Sequence, residues 1–120
     1  MDVLDMSAID ALRDLRDDGD DDLLAELIDL FLADAPQRMM ALAAAIGGED
    51  WDGVASWAHS LKGSCGSLGA MHMAELCTRL ESMGRLADAP RSEAEVVYRE
   101  LESQFALAGD ALRRERAASR

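Results

Sequence analysis

The chain has 120 residues, enough for one domain with an adequate hydrophobic core and too few for several. It is 49% hydrophobic but only 4% aromatic, with 2 Pro, and it is rich in Ala, Leu, Met, Glu and Arg, which disfavours sheet and favours helix. A formal charge of −12 argues against nucleic acid and anionic membrane as partners, because both are bound through clustered Lys and Arg.

Short clusters of Gly, Asp and Pro divide the chain into five amphipathic stretches, with no internal repeat. The first predicted helix, about Ser7 to Arg16, opens on Ser7 as N-cap and carries Ile9, Leu12 and Leu15 before the acidic turn Asp17 to Asp22. It is short and is expected to pack as a lid. The second, about Asp22 to Ile46, sets Leu24, Ile28, Phe31, Ala35, Met39, Leu42 and Ile46 on one 3.6-period face. Pro36 removes a backbone bond and crowds the carbonyl of Leu32, which predicts a kink or a local break. Leu23, Leu27 and Leu30 form a second apolar stripe, part of it to cover the first helix and part of it left exposed.

The third helix, about Asp50 to Ser67, starts on an acidic cap and is followed by Gly69. The fourth, about Ala70 to Ala87, turns Met73, Leu76, Cys77, Leu80 and Met83 inward before Pro90 forbids continuation. The fifth opens with a capping box, Ser92 with Glu95, and carries Ala94, Val97, Leu101, Phe105, Ala108 and Leu112. Its last turn, with Arg113, Arg114 and Arg116, suits the negative helix end and is expected to fray. The expected fold is all-α: an antiparallel four-helix bundle with a short additional N-terminal helix, one domain over residues 1–120 with its helical core at about 7–112.

Met1 to Met6 carries two Asp and no basic region, and the longest apolar stretch, Met39 to Ile46, is far too short to span a bilayer. Cys65 and Cys77 fall at core-facing helical positions, so a reduced, cytoplasmic protein with both thiols buried is the expectation. Cys65, His72 and Cys77 match no compact zinc spacing, and no metal site is expected. Trp51 and Trp57 read as packing anchors.

The informative segment runs from Ala58 to Ala70. At about 100° per residue, Val54, Trp57, Ala58, Leu61, Cys65 and Leu68 gather on one side of the third helix, and His59, Lys62, Gly63 and Gly66 on the other. Each glycine inside a helix is unfavourable by about 1 kcal/mol relative to Ala, so two of them on the face of an outward His59 imply a need for bare backbone. Such a groove lets a partner's site approach the imidazole, while Lys62 can set its ammonium beside a phosphoryl group on the ring. A neutral imidazole is a competent nucleophile near neutral pH.

This segment resembles the histidine phosphotransfer family pattern, in which the phospho-accepting His is followed by an apolar residue, Lys-Gly-Ser, and then Leu-Gly: here His59, Leu61, Lys62, Gly63, Ser64, Leu68 and Gly69. Leu27 to Pro36 is similar to the second-helix signature of many bacterial members, and Leu80 to Arg85 resembles the stretch that packs beside the active His. The resemblance covers about residues 7–110. It implies phosphoryl transfer to the ε nitrogen of His59 and a hydrogen bond from its δ nitrogen to Glu81, where many relatives have Gln. Arg85, one turn after Glu81, either pairs with it or assists the phosphoryl group. The implied partners are response regulator receiver domains and a hybrid histidine kinase, with Mg²⁺ on the receiver only and no cofactor on this chain.

Leu12, Leu15, Leu27 and Leu30, with Gly63 and Gly66, are the candidate docking residues; the four leucines read equally well as core. No Gly-rich loop followed by Lys-Thr or Lys-Ser is present, so the chain is expected to be a monomeric carrier without autokinase activity. Two other readings share the fold. One is a helical interaction module that has lost transfer; the other is the phospho-accepting module of a chemotaxis-type kinase, against which a stand-alone chain argues.

Overall fold

A computed structural model describes residues 3–15 and 22–118. The acidic turn from Asp17 to Asp21 lies outside the described residues. Five helices run through the rest: α1 (Met6–Asp14), α2 (Leu23–Gly47), α3 (Trp51–Ser67), α4 (Met71–Leu86) and α5 (Arg91–Ala118). Among the described residues no helix is long and apolar enough to cross a membrane.

The first three helices start on acidic caps. Asp22 accepts from the backbone of Ala25, and Asp50 from that of Gly53, each meeting one of the N–H groups that a first turn leaves open. At α1 the cap is Asp5 rather than Ser7: Asp5 accepts from both the backbone and the hydroxyl of Ser7, because a carboxylate two residues upstream captures both donors. The capping box expected at Ser92 and Glu95 does not set the start of α5. The carbonyl of Pro90 takes the amides of Glu93 and Ala94, and Glu95 pairs with Arg91 instead. Nor is there a break at Pro36: α2 is helical throughout from Leu23 to Gly47.

Cross-helix contacts give the direction of each pair. Gly53 lies against Ala45 and Ser64 against Arg38, so α2 and α3 are antiparallel. Gly84 lies against Ala55 and Trp51, and Glu81 against His59 and Lys62, so α3 and α4 are antiparallel too. The Tyr98 hydroxyl donates to the Met39 carbonyl while Gly109 faces Leu32, which brings α5 back antiparallel along α2. The four long helices thus close into a bundle, with α4 packed on α5 and α1 resting on α2.

Its interior matches the 3.6-period faces. All seven inward positions expected of α2 are buried, as are Val54, Ala58, Leu61, Cys65 and Leu68, and Phe31 meets Phe105 edge to face at 5.9 Å between ring centroids. Trp57 departs from the expected core: it is 40% exposed, since its position is about 60° from that of Val54, at the rim of the buried stripe. Cys65 and Cys77 are free and buried, and hydrogen bonding between them, together with burial, pushes the Cys65 thiol up. The last described turns of α5 are helical to Ala118, with Arg13 on Glu115 and Arg116 on Asp29.

Two backbone features position the site. Gly69, at φ 76°, makes the α3–α4 turn, and its carbonyl accepts the Asp5 amide at 2.7 Å, tying the N-terminal segment to that turn. At Gly84 the two helices touch backbone to backbone: a Cβ there would lie 2.6 Å from the Ala55 nitrogen and 2.7 Å from the Trp51 oxygen. This contact brings α4 near enough for Glu81 to reach the outer face of α3.

Candidate functional site

His59 stands in the middle of α3 on its outward face, with its side chain 64% exposed. Its Nδ1 lies 3.1 Å from Glu81 Oε2. Glu81 itself comes from the buried side of α4 and is only 5% exposed, and it is the one buried charged residue among those described. Lys62 donates from Nζ to Glu81 Oε1 at 2.8 Å, and Arg85, one turn along α4, donates to Oε2. One carboxylate therefore meets three side chains on the two helices that pack closest.

The electrostatics follow from that arrangement. The hydrogen bond from Lys62 holds the Glu81 carboxyl below the usual glutamate range; burial, which by itself would push it up, is outweighed once the His59 hydrogen bond and the charges of Lys62 and Arg85 are added. An ionised carboxylate only accepts, so the proton between it and the ring belongs to Nδ1. In the neutral ring the lone pair is then on Nε2, the nitrogen left without a protein partner among the described residues.

A carboxyl lowered on folding stabilises the native state fully above its unfolded value, and this contribution disappears as pH falls through the lower folded value. Glu81→Gln removes it. The difference in thermal midpoint between native protein and variant is therefore expected to change progressively as pH falls below the ordinary glutamate range. A difference that stays flat into acid, read by circular dichroism, contradicts the assignment of Glu81 as ionised.

The four chemistry-bearing residues expected from the sequence, His59, Lys62, Glu81 and Arg85, thus lie together. The ammonium of Lys62, one turn along α3 from the ring, is held on the buried Glu81 carboxylate. The docking candidates divide. Gly63 and Gly66 are open, and a Cβ at either meets nothing within 4 Å. Leu27 and Leu30 line a groove of about 140 Å³ between α2 and α3, with Phe31, Ala35, Arg38 and Leu68. Leu30 is 61% exposed there, while Leu27 packs partly against the core. The leucines of α1 do not line this groove; Leu12 packs partly on the core and Leu15 is exposed.

Two features escaped the sequence reading. Arg38 bridges Asp34 and the Ser64 hydroxyl, bracing α2 against α3 beside the groove. Gly84 is the backbone contact that sets the α3–α4 spacing, and its only sequence signal was a glycine in an otherwise well-formed helix. Among the described residues no group of three His, Cys, Asp or Glu could hold a metal ion.

The chain is similar to known proteins in sequence and in fold. Residues 26–115 match the Hpt domain. Over 69 residues the chain is 36% identical to histidine-containing phosphotransfer protein 2 of Arabidopsis thaliana, a stretch that takes in 55% of this chain and 44% of the plant protein, so the match spans less than half of that relative. The fold is similar to the crystal structure of histidine-containing phosphotransfer protein B from Pseudomonas aeruginosa, with a TM-score of 0.86 at 28% identity, covering 98% of this chain and 97% of that one. With a match over most of its length, the chain belongs to the Hpt domain family.

Proposed function

We infer that this chain is a phosphocarrier: His59 accepts a phosphoryl group from the aspartate of a receiver domain in a hybrid histidine kinase and passes it to a response regulator. The observation that carries this reading is an exposed imidazole with Nδ1 tied to a buried carboxylate, which leaves Nε2 as the nucleophile. In the receiving step the Nε2 lone pair bonds to phosphorus, the aspartyl P–O bond breaks, and its electron pair returns to the aspartate carboxylate. The onward step is the reverse, with a second aspartate as acceptor. Magnesium belongs to the receiver in both steps, and this chain contributes position and charge rather than a cofactor.

The bare backbone at Gly63 and Gly66 and the groove at Leu27 and Leu30 support docking of a receiver beside the ring. Leu12 on α1 and Leu15, which follows its last turn, would extend that surface. We take the carrier to be a monomer, working in the cytoplasm, where two free thiols stay reduced.

The test is transfer of labelled phosphate from a phosphorylated receiver. Acid-labile label is expected on the native chain and none on His59→Gln. Label persisting on that variant refutes the assignment, and receiver binding without label on the native chain would make it an interaction module instead.

A further inference from the structure

Glu81 is engaged before any phosphoryl group arrives. Oε1 accepts from Lys62, and Oε2 accepts from both Arg85 and His59 Nδ1. Two cations and one carboxylate leave a single net positive charge beside the ring. A phosphoryl group on Nε2 would bring up to about two negative charges toward the same two cations. Lys62 and Arg85, with side chains 35% and 67% exposed, have room to turn toward it; Glu81, enclosed between α3 and α4, does not.

We propose that Glu81 is a positioning residue that sets the lifetime of the phosphoryl group on His59, by competing with it for Lys62 and Arg85 and by stabilising the cationic form of the phosphorylated ring. This rests on the carrier reading and deepens it. Loss of the group breaks the Nε2–P bond, returns its electron pair to the ring, and bonds phosphorus to an oxygen of water or of an acceptor carboxylate. A ring that keeps its Nδ1 proton leaves as neutral imidazole, and one without it would have to leave as an anion. The carboxylate at Nδ1 favours the first route because it stabilises positive charge on the ring. Cations on the phosphoryl oxygens oppose departure, since the group leaves metaphosphate-like, with less negative charge than the bound dianion. Glu81 therefore shortens the lifetime in both ways. The groups facing it are His59 and Lys62 on α3 and Arg85 on α4.

The experiment uses the full chain charged with phosphoramidate, from which Nε2 displaces ammonia at phosphorus, and follows loss of phosphohistidine by phosphorus NMR from mildly acidic to alkaline buffer. Glu81→Gln is expected to lengthen the lifetime on the order of tenfold in alkaline buffer, the scale on which a neighbouring charge changes a protonated fraction. The gap should narrow in acid, where the ring carries its Nδ1 proton in both proteins and only the competition for Lys62 and Arg85 still separates them. Lys62→Gln combined with Arg85→Gln is expected to shorten the lifetime instead. A merely structural role would move both variants in one direction, so changes of the same sign, or equal lifetimes at every pH, overturn the proposal. Should Glu81→Gln fail to fold, the double variant decides alone, and a lifetime equal to or longer than the native one overturns it. No receiver enters the comparison, so loss of transfer from receivers bears only on the carrier reading.

Discussion

Gly84→Ala is expected to destabilise the protein by about 2 kcal/mol or more, although the same exchange in an open helix stabilises by about 1 kcal/mol. The reversal comes from what the new methyl meets. It would lie 2.6 Å from the Ala55 nitrogen, 2.7 Å from the Trp51 oxygen and 3.0 Å from the Ala55 Cα, all backbone atoms that have no rotamer to change. Relief requires α3 and α4 to move apart, which loosens the packing of Ala58, Leu61, Leu80 and Cys77 along the same seam. A fall in thermal midpoint on the order of 10 °C is the expected readout. The effect reaches the site as well, because the Glu81 hydrogen bond to His59 spans that seam at 3.1 Å and does not survive a large separation. Equilibrium urea unfolding measures the change, and a variant as stable as the native chain means that the helices can part without penalty.

Alanine at both Gly63 and Gly66 should act in the opposite sense on stability while lowering transfer. Neither new methyl meets an atom within 4 Å, so each is expected to add about 1 kcal/mol by restricting the unfolded chain and favouring helix. A docked receiver loses its close approach to the ring at the same time, and a displacement of about 1 Å at a phosphoryl-transfer centre is worth up to a hundredfold in rate. The double variant is therefore expected to unfold later and to receive phosphoryl at least about tenfold more slowly, at unchanged His59 chemistry. Charging by phosphoramidate should be unaffected, since that small donor needs no groove. Native transfer rates in a variant with a raised melting point would show that the glycines serve some other purpose.

Much of the site was legible because it is local to one helix. His59, Lys62, Gly63 and Gly66 share a face by helical periodicity alone, and the buried side of that helix followed from the same count. The acidic caps Asp22 and Asp50, at the expected starts of their helices, were also readable. Where two groups competed for one role, as the side chains of Asp5 and Ser7 did at α1 or the Pro90 carbonyl and the Ser92 side chain at α5, the sequence left the outcome to geometry. Pro36 shows the same limit: a proline's missing bond is visible in sequence, but whether packing on both sides keeps the helix going is not.

Periodicity of apolar residues determined that this chain is a bundle of four long helices with a short one before them, since burying those faces leaves few other arrangements. It also determined that His59 points outward. Family resemblance pointed to Glu81 as the partner of the imidazole, but the tertiary structure decided the geometry and added Lys62 to the same carboxylate. Glu81 lies 22 positions along the chain, and only the backbone contact of Gly84 with Ala55 brings its carboxylate under the ring together with Lys62 and Arg85. A helix face is a property of neighbouring residues, whereas a charge cluster across two helices depends on how closely their axes approach, which no single segment encodes.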